Sequence, residues 1–197
     1  MPDRGAPPHG RFVFAYGSLM SPASLRATLR DCAIDGCIPA RCRGFRRTFG
    51  VAFPNDGSES DKAYLDDRGG RPPVVLFSDL TADEGDRVNG VCIPVGEPDL
   101  DLLRSRELRY NLRDVTDAVC PYPGFRLVGT VSAFVGAERF TRPEDVRRGV
   151  LSAGYAATID DGARHWDRTS PGFFADYLSS TDAAAPGRIV RLTRVDH

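Results

Sequence analysis

Two short stretches of the 197-residue chain carry residue types that could do chemistry. Near the start, Phe12-Val13-Phe14-Ala15 runs straight into Tyr16-Gly17-Ser18-Leu19, and Ser21-Pro22 then opens a helix. A strand that stops at a glycine and hands over to a helix leaves backbone N–H groups without partners. Those donors suit an anion or a polarised carbonyl oxygen. The same pattern also fits a routine strand–turn–helix connection. Glu107 is the second candidate. It ends a helix whose inward face is leucine, and Tyr110 and Val115 lead on into a strand. A carboxylate at such a junction, close to apolar packing, has its pKa raised by desolvation, as a general base requires. The competing reading is a surface glutamate neutralised by Arg104, Arg106 and Arg109.

Other titratable residues point less clearly to a site. His165 beside Trp166 is accounted for by a helix-end histidine interacting with the dipole. Asp66-Asp67 and Asp160-Asp161 read as turn and helix-surface acids. Cys32, Cys37 and Cys42 recur at steps of five, whereas zinc pairs are usually closer in sequence and need a fourth ligand. No metal site and no cofactor are expected.

Composition narrows the function classes. Apolar residues make up 41% and charged residues 27%, as in a soluble globular protein, and the formal net charge is −1. A near-neutral balance argues against nucleic acid as a partner. No apolar run approaches the roughly 20 residues of a membrane span. The first ten residues lack the apolar stretch of a signal peptide. Together with five cysteines, an odd number, this leads us to expect a cytoplasmic protein with reduced thiols. Lys62 is the only lysine, and every other basic residue apart from three histidines is arginine.

The elements that must position these residues read as follows. Met1–Gly10 is expected to be a disordered tail, and residues 11–197 a single domain. Arg11–Ala15 is a strand apolar enough for burial on both faces, and Ala23–Arg30 a short amphipathic helix. Ala33–Phe53 is strand-like, with turns or bulges at Gly36 and Gly44. Its arginines 41, 43, 46 and 47 are expected on solvated faces. Pro54–Gly70 reads as one long loop. Val74–Phe77 and Arg87–Val95 read as two strands, with a possible bulge at Gly90. Asp99–Leu108 reads as a helix with Leu100, Leu103 and Leu108 inward, followed by strands around Val115–Val119 and Phe125–Val135. Thr141-Arg142-Pro143-Glu144 and Ser152 each open a helix. Phe173, Phe174 and Tyr177 mark one more, and Arg188–Leu192 a closing strand. This mixture is α+β, with too few βα alternations for a doubly wound sheet.

Three stretches in this order resemble the γ-glutamylcyclotransferase-like family: Tyr16-Gly17-Ser18-Leu19; then Leu102-Leu103-Arg104-Ser105-Arg106-Glu107 with Tyr110 and Val115; then Tyr155, Ile159, Gly162 and Ala163. Arg87-Val88-Asn89-Gly90-Val91 also resembles the family's V-x-G-V strand. The resemblance runs from Phe12 to Leu178. It implies a small mixed β-barrel, closed or nearly so, surrounded by helices. It implies a small-molecule γ-glutamyl substrate whose free α-amine attacks its own γ-carbonyl, releasing 5-oxoproline and an amine or amino acid. By the resemblance, Glu107 is the general acid/base and the amides of Gly17, Ser18 and Leu19 hold a substrate carboxylate or the oxyanion. Tyr16 and Tyr110 belong to the binding site, and Tyr155 is a pocket wall or a core tyrosine.

The chain departs from the family's pattern next to the glutamate. Leu108 stands where family members often carry glycine, and Leu112 where they carry arginine, with Arg113 one place later. The substrate therefore stays open among glutathione, γ-glutamyl amino acids, γ-glutamylamines and a γ-glutamyl-protected biosynthetic intermediate. Other amide or acyl chemistry on a related barrel, and a binding module that kept the pocket, also stay open.

Overall fold

A computed structural model describes residues 10–196 apart from 31, 33, 60 and 185. The expected tail lies outside the described residues except for Gly10, which begins strand β1 (Gly10–Ala15). After it come α1 (Pro22–Thr28), β2 (Ile38–Pro54), β3 (Lys62–Leu65) and β4 (Val74–Pro94). Then follow α2 (Glu97–Arg106), β5 (Tyr110–Asp114), β6 (Val119–Pro121), β7 (Gly129–Gly136), α3 (Pro143–Arg148) and β8 (Val150–Ser152). The chain ends with α4 (Ala153–Asp167), α5 (Phe173–Ser179), β9 (Ile189–Val190) and β10 (Thr193–Asp196).

The main sheet has the order β5-β7-β1-β4-β2-β6, with β8 beside β4 and β9 beside β8. It is mixed: β1 runs parallel to β7 and antiparallel to β4. The sheet curls into a half-barrel. β1 is buried on both faces, as its unbroken apolar run requires. Val13 and Ala15 pack with Leu25, Leu103, Ile159 and Phe173 from the helices, while Phe12, Phe14 and Tyr16 pack with Val88, Val131 and Ala133.

Several expectations need correcting. Val74–Phe77 and Arg87–Val95 are the two ends of one 21-residue strand. Its polar middle stays extended because it pairs with Arg43–Thr48 of β2. Gly90 is no bulge, since the pairs Ala40–Gly90 and Arg41–Asn89 keep register. It is glycine for closeness: a Cβ there would lie 2.5 Å from the Ala15 carbonyl oxygen and 2.6 Å from the Phe14 ring. The β2 irregularity at Gly44, with φ +78°, is as expected, and a second register shift falls between Thr48 and Val51. The long loop contains β3, which pairs with β10 through Tyr64–Arg194 and Lys62–Asp196. Asn55 holds that segment in place. Its side-chain amide donates to the carbonyls of Tyr64 (2.8 Å) and Pro72 (2.7 Å), and its Oδ1 accepts from the Tyr64 N–H (2.9 Å).

Helix α2 ends at Arg106, so Leu108 lies beyond it and is exposed. Thr141 does not cap α3; Arg142 holds that place without a side-chain cap. Ser152 caps α4 as expected, accepting from the Tyr155 N–H. The closing strand is two short ones, β9 and β10.

Candidate active site

Strand β1 delivers Tyr16 and Gly17 to the mouth of a cavity of about 410 Å³. The seven residues singled out from the sequence, Tyr16, Gly17, Ser18, Leu19, Glu107, Tyr110 and Tyr155, all line it. Ser18–Met20 forms one tight turn, in which Gly17 and Ser18 give their carbonyls to the N–H groups of Met20 and Ser21, both at 3.0 Å. Among the described residues the N–H groups of Gly17, Ser18 and Leu19 donate to nothing. The chain thus offers three consecutive amide donors at the cavity wall, an arrangement suited to negative charge.

The turn is held from behind. Arg47 is fully buried, which overturns the expectation of a solvated face. Its guanidinium donates to the carbonyls of Tyr16 (2.6 Å) and Asn89, to Asn89 Oδ1 (3.1 Å) and to Thr181 Oγ1 (2.6 Å), and it stacks over Tyr177 at 5.0 Å. Burial without a carboxylate partner lowers its pKa to about 10. From α4, Trp166 Nε1 donates to the Met20 carbonyl (2.8 Å), and Gly162 lets that helix close onto Met20 and Ser21.

Glu107 follows α2 directly as its C-cap residue, with its N–H bonded to the Leu103 carbonyl at 2.8 Å. Its carboxylate meets Arg106 Nε at 3.2 Å. The same guanidinium donates to Ser18 Oγ at 3.1 Å and to Thr28 Oγ1. One side chain therefore ties the carboxylate to the amide turn. Burial raises the Glu107 pKa although Arg106, Lys62 and Arg109 all pull it down. Arg104, by contrast, points to the surface pairs Glu97 and Asp101.

Three tyrosines, Tyr16 buried and Tyr110 and Tyr155 partly buried, close the cavity floor. Tyr16 donates to the Phe134 carbonyl and Tyr110 to the Ser78 carbonyl at 2.9 Å. The Tyr155 hydroxyl lies 2.7 Å from Ser78 Oγ and accepts from the Ser78 N–H at 3.2 Å. Burial pushes all three phenols above their usual range, so they remain neutral donors at physiological pH. Ser78 is the hub of this network. The sequence reading missed it, because it sits at the start of β4's polar middle.

Gly17 must be glycine for a local reason. A Cβ there would fall 2.3 Å from Ser78 Oγ and 3.3 Å from the Tyr155 hydroxyl. Gly17→Ala is expected to displace the turn and lower kcat/KM about tenfold for whatever the cavity processes. Adding Ser78→Ala removes the clashing hydroxyl and should recover part of the loss. No recovery in the double variant would contradict this account of the turn.

The sequence reading also missed the outer wall, which comes from the presumed loop and the chain's last strand. Lys62, Tyr64 and Arg194 all line the cavity. Lys62 lies over the rings of Phe53 (5.3 Å) and Phe77 (5.1 Å), and burial lowers its pKa to about 8. Arg109 is buried too, and it grips Asp61 and Glu59 (2.8 Å to the latter). The available signal was that Lys62 is the one lysine in an arginine-rich chain. His165 lies outside this set, edge-on to Trp166 at 5.1 Å. Among the described residues, no group of three or more histidine, cysteine, aspartate or glutamate side chains could hold a metal ion. Nor is any described helix long and apolar enough to cross a membrane.

No protein-family model matches the sequence, and no curated protein matches it at a significant level. Solved structures do share the fold. A γ-glutamyl cyclotransferase superposes with a TM-score of 0.58 at 16% identity, over 90% of this chain and 92% of that one. An uncharacterised human protein gives 0.55 at 18% identity, over 90% and 92%. A yeast γ-glutamyl cyclotransferase specific to glutathione gives 0.53 at 15% identity, over 88% and 97%. The chain thus has the γ-glutamylcyclotransferase-like α+β fold, as the sequence resemblance implied.

Proposed function

We propose that the protein is a γ-glutamylcyclotransferase, acting on a small γ-glutamyl compound. One observation carries this reading: a partly buried carboxylate with a raised pKa, Glu107, shares a cavity with three consecutive free amides and is tied to their turn through Arg106 and the Ser18 hydroxyl. In the proposed reaction Glu107 takes a proton from the substrate's α-ammonium, and the freed amine attacks its own γ-carbonyl carbon. The oxyanion develops against the amides of the Gly17–Leu19 turn. The bond from the γ-carbon to the leaving nitrogen breaks as Glu107 returns its proton to that nitrogen. The ring nitrogen sheds its second proton, which ends on the product amine as an ammonium. The products are 5-oxoproline and the amine, and no water is consumed.

The magnitudes suit so spare a site. Ring closure needs no second substrate, and holding the chain folded supplies effective molarities of about 10⁵ M or more. A positioned proton shuttle adds about 10²–10⁴-fold. Oxyanion donors add roughly 10²–10³-fold. In this reading the neutral phenols of Tyr16, Tyr110 and Tyr155 shape the floor and keep water out, which strengthens each charge interaction inside. The test is a panel of γ-glutamyl amino acids, γ-glutamylamines and glutathione assayed for 5-oxoproline. Release from at least one member is expected; none from any would refute the reaction.

A further inference from the structure

The cavity has two ends of different character. The amide turn and Glu107 form one. The ribbon of β3 and β10 forms the other, and it brings Lys62, Tyr64 and Arg194 to the wall. Four cationic side chains line the whole cavity, Lys62, Arg106, Arg109 and Arg194, against the two carboxylates of Asp61 and Glu107. Most of these charges already have partners. Arg106 holds Glu107, and Arg109 grips Asp61 with two nitrogens. Arg194 pairs with Asp196 through Nε at 2.6 Å.

Lys62 is different. Its side chain is only 14% exposed, and its ion pair, with Asp61, is long at 3.8 Å. Asp61 is the carboxylate that Arg109 already engages with both oxygens. Among the described residues the Lys62 ammonium donates no hydrogen bond, and Phe53 and Phe77 are its other close neighbours. A buried ammonium with three donors and so little to receive them is costly unless something else arrives. Lys62 and Glu107 line the same cavity, so the ammonium faces the space that holds the carboxylate that would protonate a departing nitrogen.

We propose that Lys62, with Arg194 at the rim, selects the leaving group by binding its α-carboxylate, so that the substrate is a γ-glutamyl amino acid and not a γ-glutamylamine. This rests on the cyclotransferase reading for which bond breaks, but the selectivity itself is a property of binding. A γ-glutamylamine is a net-neutral zwitterion, whereas a γ-glutamyl amino acid carries one further carboxylate on the carbon next to the leaving nitrogen. An ammonium that donates no hydrogen bond among the described residues, facing the cavity that also holds Glu107, is complementary to that carboxylate.

Isothermal titration of γ-glutamyl-L-alanine and γ-glutamylethylamide into wild type and Lys62→Met tests this. Wild type is expected to bind the amino acid derivative at least about tenfold more tightly than the ethylamide. In Lys62→Met that ratio should fall to near one, and Arg194→Gln should lower it part of the way. If Lys62→Met fails to fold, Lys62→Gln keeps the length and a polar head while removing the charge, and the same collapse is expected. Equal binding by wild type, an unchanged ratio in the variants, or no binding of either compound would overturn the proposal. Release of 5-oxoproline, followed in parallel, reports separately on the reaction. Selective binding without 5-oxoproline would refute the cyclotransferase reading and leave the selectivity of Lys62 standing.

Discussion

Glu107→Gln is expected to lower turnover by about 10² or more, the usual worth of a positioned acid/base. The substitution keeps the side chain's shape and its ability to accept from Arg106, so the tie between α2 and the amide turn persists. What disappears is the capacity to take and return a proton. The fold should not suffer. A carboxyl group whose folded pKa is raised contributes stability below its unfolded pKa and loses it as pH rises through the folded value. At neutral pH the charged form is therefore the strained one, and a neutral glutamine should leave the melting temperature unchanged or higher. The wild-type pH profile gives a second check. Because Glu107 must be ionised to accept a proton, kcat/KM should fall on acidification through a pKa above the ordinary glutamate value, and this limb should be missing in the variant. Full activity in Glu107→Gln would remove Glu107 from the mechanism.

The second large effect concerns stability. Arg47→Ala is expected to destabilise the fold by about 3–5 kcal/mol, because it strands buried acceptors and leaves a cavity. The buried carbonyls of Tyr16 and Asn89 would lose their donor, and Thr181 its anchor. Relief of the guanidinium's own desolvation works in the opposite direction, but a well-satisfied fork returns most of that cost. In a domain of this size the change corresponds to a fall of roughly 6–20 °C in melting temperature. Arg47→Lys should restore little, since a single ammonium cannot reach the diverging carbonyls that the planar fork spans. A melting temperature within 2 °C of wild type, about 1 kcal/mol or less, would contradict the view of Arg47 as the support of the Tyr16–Gly17 turn.

These two residues also mark what the sequence could and could not convey. The first strand, the glycine turn and the Ser21-Pro22 helix start are local events, each fixed by neighbours within a few residues, and they were legible. So was Glu107, whose place after a leucine-faced helix follows from periodicity. Arg47 was misread because an arginine suggests a solvated face, yet it shares parity with Phe45 and Phe49 on either side, a pattern that signals an inward position. Lys62 and the outer wall were hidden for another reason. Strand β3 is only four residues long and its partner β10 closes the chain, so no local pattern announces the pair. Ser78 was hidden because it is a buried serine just before a polar stretch that holds its strand conformation only through long-range pairing with β2. Placements set by neighbouring residues were readable; walls assembled from distant segments were not.

The central claim is that the substrate's own amine, and not water, attacks the γ-carbonyl. The most direct measurement incubates the protein with γ-glutamyl-L-alanine in water enriched in heavy oxygen and weighs the glutamyl product by mass spectrometry. The expected result is 5-oxoproline carrying no heavy oxygen. Glutamate carrying one heavy oxygen atom, the product of hydrolysis, would contradict it.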